Sequence, residues 1–288
     1  MDIGLIDMCM AGYRDRLAPG DWNRLRFLRG LWETMEQAAA GRDGEGREAH
    51  PDSAELQSLY REGVPLFAAA PPAVDERDFA ETAGAIAEYL RQSGAYGEEA
   101  AQVLAAMEWT RSLPGYAGDA EASCVQEGSS DALAEKLAAA VAALAGYTFY
   151  ESSAHRLMDA LGADEAASRH PLRCPVCGSA PALASVGTKT STEGRGRKLY
   201  CLDCGTEWEF ERVRCARCGT RDQTKLHFYS IEGDCDHRLA VCDECGGYIR
   251  TSFLDSNLAP FSPWVEDAVM APLEALGRRG IAEGRLAS

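Results

Sequence analysis

The sequence predicts an α+β protein with a helical N-terminal domain over residues 1–170, two tandem cysteine-bearing β modules over 171–212 and 213–255, and a short helical segment over 256–288. Three observations predict this division. Apolar residues recur at helical spacing before residue 170, short runs of β-forming residues follow it, and nine of the 11 cysteines lie beyond it. We therefore expect one larger helical unit and two small modules organised around their cysteines.

The composition excludes several classes of protein. With 288 residues, 46% of them hydrophobic and 26% charged, the chain can bury a real core, which excludes disorder throughout. Its longest uncharged run, residues 137–150, has 14 residues, whereas about 20 are needed to cross a bilayer. The N-terminal segment carries Asp2, Asp7 and Asp15, where an export signal begins with positive charge. We expect a soluble cytoplasmic protein with no membrane partner.

The acidic residues are concentrated in the first part of the chain. The formal net charge is −16, and residues 1–170 carry 14 Lys and Arg against 29 Asp and Glu, whereas residues 171–288 carry 15 against 16. A surface that acidic repels phosphate and anionic lipid, so residues 1–170 are not expected to bind nucleic acid or a membrane surface. A basic segment of a partner protein would suit this surface.

Four segments of residues 1–170 have helical periodicity, and two further stretches are predicted to connect them. The first helix is capped by Asp21 and ended by Gly41. Aromatic side chains on the helices are interpreted as core residues, because nothing else in these segments has catalytic spacing. The other predicted helices cover residues 75–90, 98–113 and 131–161, and the connectors cover 41–52 and 114–130.

Short runs of β-forming residues replace the helical pattern after Arg169. The runs are strand-sized and lie between cysteine turns. A last amphipathic stretch, residues 262–277, predicts a short C-terminal helix that Pro272 bends or ends early. The predicted strands cover residues 199–200, 207–213, 225–231, 238–241 and 248–253.

Eight cysteines form an internal repeat. They occur as four C-x-x-C pairs, and the first and second pairs recur 41 residues later as the third and fourth. A glycine follows every pair. The C-x-x-C-G sequence is typical of the metal-binding knuckles of zinc ribbons and rubredoxins, because glycine permits the tight turn behind the thiolate. The pairs are Cys174 and Cys177, Cys201 and Cys204, Cys215 and Cys218, and Cys242 and Cys245.

Two knuckles supply four thiolates, which form a closed tetrahedral shell for one metal ion. We therefore predict two metal ions per chain. The 41-residue register favours sequential pairing, with one ion in each module, over a cross-brace between modules. Iron and zinc both fit a tetrathiolate site, so the metal stays open. The alternative is a set of structural or redox cysteines, but no βαβ pattern of a thioredoxin-type dithiol surrounds any pair.

Two further candidate ligands and a group of basic residues are assigned no function. Cys235 and His237 are not expected to bind metal, because Cys235 aligns with Gly194 at a hairpin tip, roughly 20 Å of extended chain from Cys242. Basic residues near the first hairpin and the third knuckle favour nucleic-acid binding locally, but such residues more often balance metal-thiolate charge on a solvated face. They are Arg195, Arg197, Lys198, Arg212, Arg214, Arg217 and Arg221.

The knuckles and their flanking residues resemble the formate dehydrogenase accessory protein family, FdhE. The resemblance covers residues 171–255 and rests on the order and spacing of the knuckles, on Thr-Glu-Trp at 206–208 and on Tyr-Ile at 248–249. It implies a cytoplasmic, non-catalytic maturation factor with rubredoxin-like iron-binding modules, which acts on the catalytic subunit of a molybdenum or tungsten formate dehydrogenase before export. It also makes Glu207 and Trp208 candidate supporting positions beside the eight cysteines.

Three functions are compatible with the sequence. The leading hypothesis is an assembly factor that binds the formate dehydrogenase catalytic subunit through its acidic helical region and uses the metal modules as a scaffold or for electron transfer. The first alternative is a zinc-ribbon module associated with nucleic acid or transcription, which the net charge opposes. The second is a redox enzyme that uses the metal sites directly.

Overall fold

The structure is a computed structural model and describes residues 1–40, 52–109, 130–191, 194–254 and 260–282. Helices form the first part of the chain and its C-terminal end, and strands form the part between them, which confirms the predicted α+β class. The helices are α1 (Ile3–Ala11), α2 (Pro19–Ala39), α3 (Ser53–Glu62), α4 (Glu76–Ser93), α5 (Gly97–Ala106), α6 (Ser130–Leu161), α7 (Ala163–Ala167), α8 (Pro263–Val269) and α9 (Ala271–Ala282). The strands are β1 (Leu183–Ser191), β2 (Gly194–Tyr200), β3 (Glu207–Phe210), β4 (Leu226–Tyr229), β5 (His237–Cys242) and β6 (Tyr248–Phe253).

Helix α4 illustrates how the predicted helices form. Asp75 caps its N-terminus by accepting hydrogen bonds from the backbone N–H groups of Arg77 and Asp78, and Gly94 ends it in the left-handed conformation at φ +65°. The fully buried Phe79 packs in the helical core, where α4 contacts α2, α5 and α6. The prediction of a helix over residues 75–90 therefore matches α4, which continues to Ser93.

Other helices differ from the prediction in their bounds. Helix α2 begins at Pro19, whose fixed φ suits a first helical turn, so Asp21 lies inside that turn and does not cap it. Helices α1 and α3 are not predicted from the sequence. The predicted connectors fall outside the described residues, apart from one residue at the end of each. Among the described helices, none has an apolar stretch long enough to span a bilayer.

The strands of the described residues form one six-stranded sheet in the order β3-β2-β1-β6-β5-β4. Each module contributes an antiparallel ribbon of three strands, β1 to β3 and β4 to β6. The ribbons join through parallel pairing of β1 with β6, from Leu183 opposite Arg250 to Val186 opposite Phe253. The tandem modules therefore share a single sheet.

Different helices cover the two faces of this sheet. On one face, Leu183 and Tyr200 pack with Met270 between α8 and α9, and Leu239 packs with Leu273 of α9. On the other face, residues of β2, β3 and β6 share a core with α3 and with the C-terminal end of α6. The first module is therefore enclosed between helices from both ends of the chain.

The predicted C-terminal helix is two helices. Met270 separates α8 from α9, and Pro272 lies in the first turn of α9, where its missing N–H breaks no helical hydrogen bond. Val265 and Ala268 of α8 are buried in the core of the N-terminal helices. Core contacts thus cross the predicted domain boundaries at residues 170 and 255. The division into domains remains a prediction.

Candidate metal centres

The four C-x-x-C-G knuckles share one backbone geometry. In the first, the N–H of Gly178 donates to the carbonyl of Cys174 at 2.9 Å, and the N–H of Cys174 donates to the carbonyl of Ser179 at 2.8 Å. The same two hydrogen bonds, of 2.8 to 3.1 Å, close each of the other knuckles. The glycine has a φ between +66° and +81° in every case, a conformation that strains other residues. The turn brings both thiols of a pair together.

The structure groups the cysteines into two sets of four. One set joins the knuckle before β1 to the knuckle between β2 and β3, and the other joins the knuckle after β3 to the knuckle between β5 and β6. Within each set the four sulfur atoms lie within 4.8 Å of one another. The first cysteine set is Cys174, Cys177, Cys201 and Cys204, and the second cysteine set is Cys215, Cys218, Cys242 and Cys245.

The sulfur spacing fits a tetrathiolate metal site and not a disulfide. Four sulfurs placed tetrahedrally at about 2.3 Å from one ion lie about 3.8 Å apart, whereas bonded sulfurs lie about 2.05 Å apart. In the first set, 3.5 Å separates Cys174 Sγ from Cys204 Sγ and also Cys177 Sγ from Cys201 Sγ. The two corresponding distances in the second set are both 3.8 Å. Each set can hold a tetrahedral ion with little movement.

The close approach of the thiols shifts their pKa values in both directions. Burial raises the pKa of Cys174 well above its usual range, and hydrogen bonds with the neighbouring thiols hold the pKa of Cys177 well below it. Burial raises the pKa of Cys215 too, but the backbone N–H groups of Cys218 and Arg217 outweigh it and lower this pKa to about 7. A divalent ion supplies the positive charge that four adjacent thiolates need.

The two sets differ in exposure. Three cysteines of the first set are at most 2% exposed, and the set lies in a core with Leu56 of α3 and Leu161 of α6. In the second set, Cys218 and Cys245 are exposed. The first set is therefore built into the interior of the protein and the second lies at its surface.

The supporting positions act on the first set in different ways. Trp208 is buried, and its Nε1 donates to the carbonyl of Pro171 at 2.9 Å, which fixes the chain that leads into the first knuckle. Glu207 is exposed and forms an ion pair with Lys198. The hydroxyl of Thr206, which sequence reasoning missed as a supporting group, lies 3.1 Å from Cys204 Sγ and can donate to a thiolate there.

The two spare candidates, Cys235 and His237, lie outside both cysteine sets. His237 is buried in a polar cluster: its Nδ1 is 2.8 Å from Asp234 Oδ2, its Nε2 is 3.1 Å from Glu266 Oε2, and the Tyr13 hydroxyl donates to Glu266 Oε1 at 2.6 Å. Burial lowers the pKa of His237, but the hydrogen bonds and charges of Glu266 and Asp234 outweigh it and raise the pKa. Sequence reasoning missed this cluster because Tyr13 and Glu266 are distant from His237 in the chain.

The fold and the cysteine sets define an α+β protein with two tandem modules of the zinc-ribbon or rubredoxin kind. Residues 173–212 match the family described as FdhE, central domain. Over 88 residues the chain is 38% identical to "Protein FdhE" of Escherichia coli O9:H4 (strain HS), and over 81 residues it is 41% identical to "Protein FdhE" of Escherichia coli O1:K1 / APEC. These matches cover 29% and 27% of this chain and 26% and 24% of the respective relatives.

A solved structure matches over a longer range. The crystal structure of the FdhE protein from Pseudomonas aeruginosa has a TM-score of 0.57 and 18% identity, and the match covers 98% of this chain and 90% of that chain. At this identity the likeness shows a common fold. Together, the three comparisons confirm the resemblance to the FdhE family that the cysteine motifs indicate. The chain spans about a quarter of the length of the curated relatives in the sequence matches.

Proposed function

We propose that this chain is a cytoplasmic, non-catalytic accessory protein for the maturation of a formate dehydrogenase. It binds the catalytic subunit of that enzyme and holds two metal ions, iron or zinc, one in each cysteine set. The observation that best supports this proposal is the presence of two complete tetracysteine sets within a fold that resembles an FdhE protein.

The metal part of the proposal is tested by stoichiometry. Elemental analysis of the purified full-length chain should give two ions per chain, and Cys218→Ser should leave one, because its set then lacks a thiolate. Cys235→Ser is the matched control, since Cys235 is also exposed but lies outside both sets. One ion in the unchanged chain, or an equal loss in the control, contradicts the assignment. Visible absorption distinguishes iron from zinc, which has a filled d shell.

The proposed interaction with a formate dehydrogenase is tested by a pull-down experiment and by the activity of that enzyme. Tagged full-length protein should recover the formate dehydrogenase catalytic subunit from its native cells. Recovery should fall as salt rises, because residues 1–170 carry 14 basic against 29 acidic residues and exposed charges are screened beyond about 8 Å at physiological ionic strength. Recovery of no such subunit at low salt counts against a direct interaction.

A deletion strain provides the functional test. It should contain the formate dehydrogenase polypeptide but show little formate-dependent dye reduction. Expression of Cys235→Ser should restore the activity, whereas Cys218→Ser should restore less of it if the second ion contributes to maturation. Normal dye reduction in the deletion strain, under conditions in which the enzyme is expressed, removes the accessory function and leaves a two-metal protein with another partner.

The nucleic-acid alternative has weaker support. Arg197 is 5% exposed, and Arg214 and Arg221 form ion pairs with Glu211. Among the described residues, the basic positions therefore do not form a continuous exposed row of free cations that could follow a phosphate backbone. Salt-dependent binding of the metal-loaded chain to DNA or RNA would reverse this ranking.

A further inference from the structure

A cavity of about 440 Å³ lies on the face of the sheet formed by the second module, beside the third knuckle. Its floor includes Ala240, Ile249 and Phe253, and no α-helix of the described residues contributes to its lining. Two apolar side chains at this cavity are unusually open to solvent: Phe228 is 53% exposed and Val213 is 42% exposed. The volume is within the range of about 300–1,000 Å³ typical of small-molecule sites.

Apart from Cys215 and Cys242 of the second cysteine set, the charged groups that line the cavity are all positive. Five arginines contribute to it, and none of the lining residues in the described part of the chain is acidic. In a protein with a formal net charge of −16, this concentration of positive charge is local. The arginines are Arg197, Arg212, Arg214, Arg217 and Arg238.

The second metal centre does not account for all of this charge. Four thiolates around a divalent ion carry a net charge of −2, so the five guanidinium groups exceed it by three positive charges. Glu211 forms an ion pair with Arg214, which leaves two. Arg212 and Arg238 have no carboxylate partner among the described residues.

Arg197 and Arg238 are held at the cavity by their surroundings. Arg197 is 5% exposed, its Nη1 donates to the carbonyl of Arg214 at 2.8 Å, and its buried Nε has no hydrogen-bond acceptor in the described structure. An anion in the cavity would offset the positive charge of this buried guanidinium electrostatically. The guanidinium of Arg238 lies 4.3 Å from the ring centroid of Phe253, which places a cation next to the apolar floor.

We propose that this cavity binds a small organic anion. Its carboxylate or phosphate group contacts the arginines, because the planar guanidinium fork matches both oxyanions. Its aromatic or other apolar body packs on the strand residues and on Phe228. Binding depends on neither the client nor the choice of iron or zinc.

Calorimetric titration of the metal-loaded full chain tests this proposal. The two aromatic anions are adenosine 5′-monophosphate, which carries a phosphate, and 2-naphthoate, which carries a carboxylate. Adenosine, which lacks the charge, and inorganic phosphate, which lacks the aromatic body, are the control probes. Saturable binding of either aromatic anion, at least tenfold tighter than adenosine or inorganic phosphate, is the expected result, and the preferred anion identifies the headgroup. Failure of both aromatic anions to bind at millimolar concentration overturns the proposal.

Substitutions locate the binding. Arg212→Gln and Arg238→Gln should each lower the affinity for the aromatic anion by about tenfold or more, the usual effect of a lost charge-assisted hydrogen bond. Lys225→Gln is the matched control, because Lys225 carries the same charge in the same module, pairs with Glu244 and does not line the cavity. Phe228→Ala should lower the affinity for the aromatic anion and leave the affinity for inorganic phosphate unchanged.

Metal content and circular dichroism verify that each variant is folded. Equal affinity in Arg212→Gln, Arg238→Gln and the Lys225→Gln control overturns the proposal.

Discussion

Replacing Gly187 with alanine should weaken the junction between the two modules. Gly187 lies in β1, which pairs with both β2 and β6, and its φ is +121°. An added Cβ would lie 2.1 Å from the carbonyl oxygen of Leu254, a backbone atom that cannot rotate away. The N–H of Leu254 donates to the carbonyl of Val186 at 2.8 Å, so movement that relieves the clash also strains this hydrogen bond.

The destabilisation has two parts. A strained positive φ costs a non-glycine residue about 1–3 kcal/mol, and forcing an atom into filled space costs about 1–3 kcal/mol more. The reduced entropy of the unfolded alanine variant offsets about 0.4–1 kcal/mol of this. The free energy of unfolding should therefore fall by about 1–6 kcal/mol, against the roughly 5–15 kcal/mol typical of native proteins.

Urea unfolding of the metal-loaded chain, followed by circular dichroism and by metal release to a chelator, measures this loss against two controls. Gly233→Ala shares the positive φ, at +87°, but has no atom within 4 Å of the new Cβ, so only the strain remains. Gly84 lies inside α4 and also has no atom within 4 Å of an added Cβ, so Gly84→Ala should raise the free energy of unfolding by about 0.5–1 kcal/mol. If Gly187→Ala loses no more stability than Gly233→Ala, the steric reasoning is refuted.

Three further predictions concern the metal sets and the buried histidine. A chelator should remove metal from the second set first, because Cys218 and Cys245 are exposed; release of both ions at one rate contradicts this. Cys201→Ser should reduce helical circular dichroism more than Cys242→Ser, because the first set shares its core with α3 and α6; equal losses contradict this. The pKa of His237 is higher in the folded protein than in the unfolded chain, so protonation of His237 stabilises the fold. This stabilisation should be complete below about pH 6.5, the pKa of an unperturbed histidine, and should be lost as the pH rises through the higher folded pKa. Urea unfolding across this range should show the decline in the unchanged chain and not in His237→Gln.

The cysteine grouping could be predicted because a knuckle is a local structure. Cys174 and Cys177 are three residues apart, and the turn that joins them is closed by their own backbone and by Gly178. A 41-residue repeat of such turns leaves few ways to complete four ligands. The same locality explains why strand 248–253, directly after the fourth knuckle, has the bounds that its residues predict.

The sheet that joins the modules could not be predicted. Strand β1 is rich in small and polar residues, and its extended conformation is stabilised by pairing with β2 on one side and β6 on the other. The parallel partner of Leu183 is Arg250, in the other module, and no local pattern indicates that register. The burial of Val265 in the N-terminal helical core likewise depends on tertiary packing alone.

The duplicated modules share the spacing of their cysteines but have different surroundings. The backbone N–H groups of Leu66 and Phe67, in the turn after α3, donate at 3.0 Å to the carbonyls of Pro175 and Val176 inside the first knuckle. An ion in the first set would therefore hold the helical region and the sheet together, because the loop that it closes is itself bonded to the helical region. The second set has two exposed cysteines and lies beside the arginine-lined cavity. An ion in the second set would instead lie where solvent and other molecules can reach two of its four ligands.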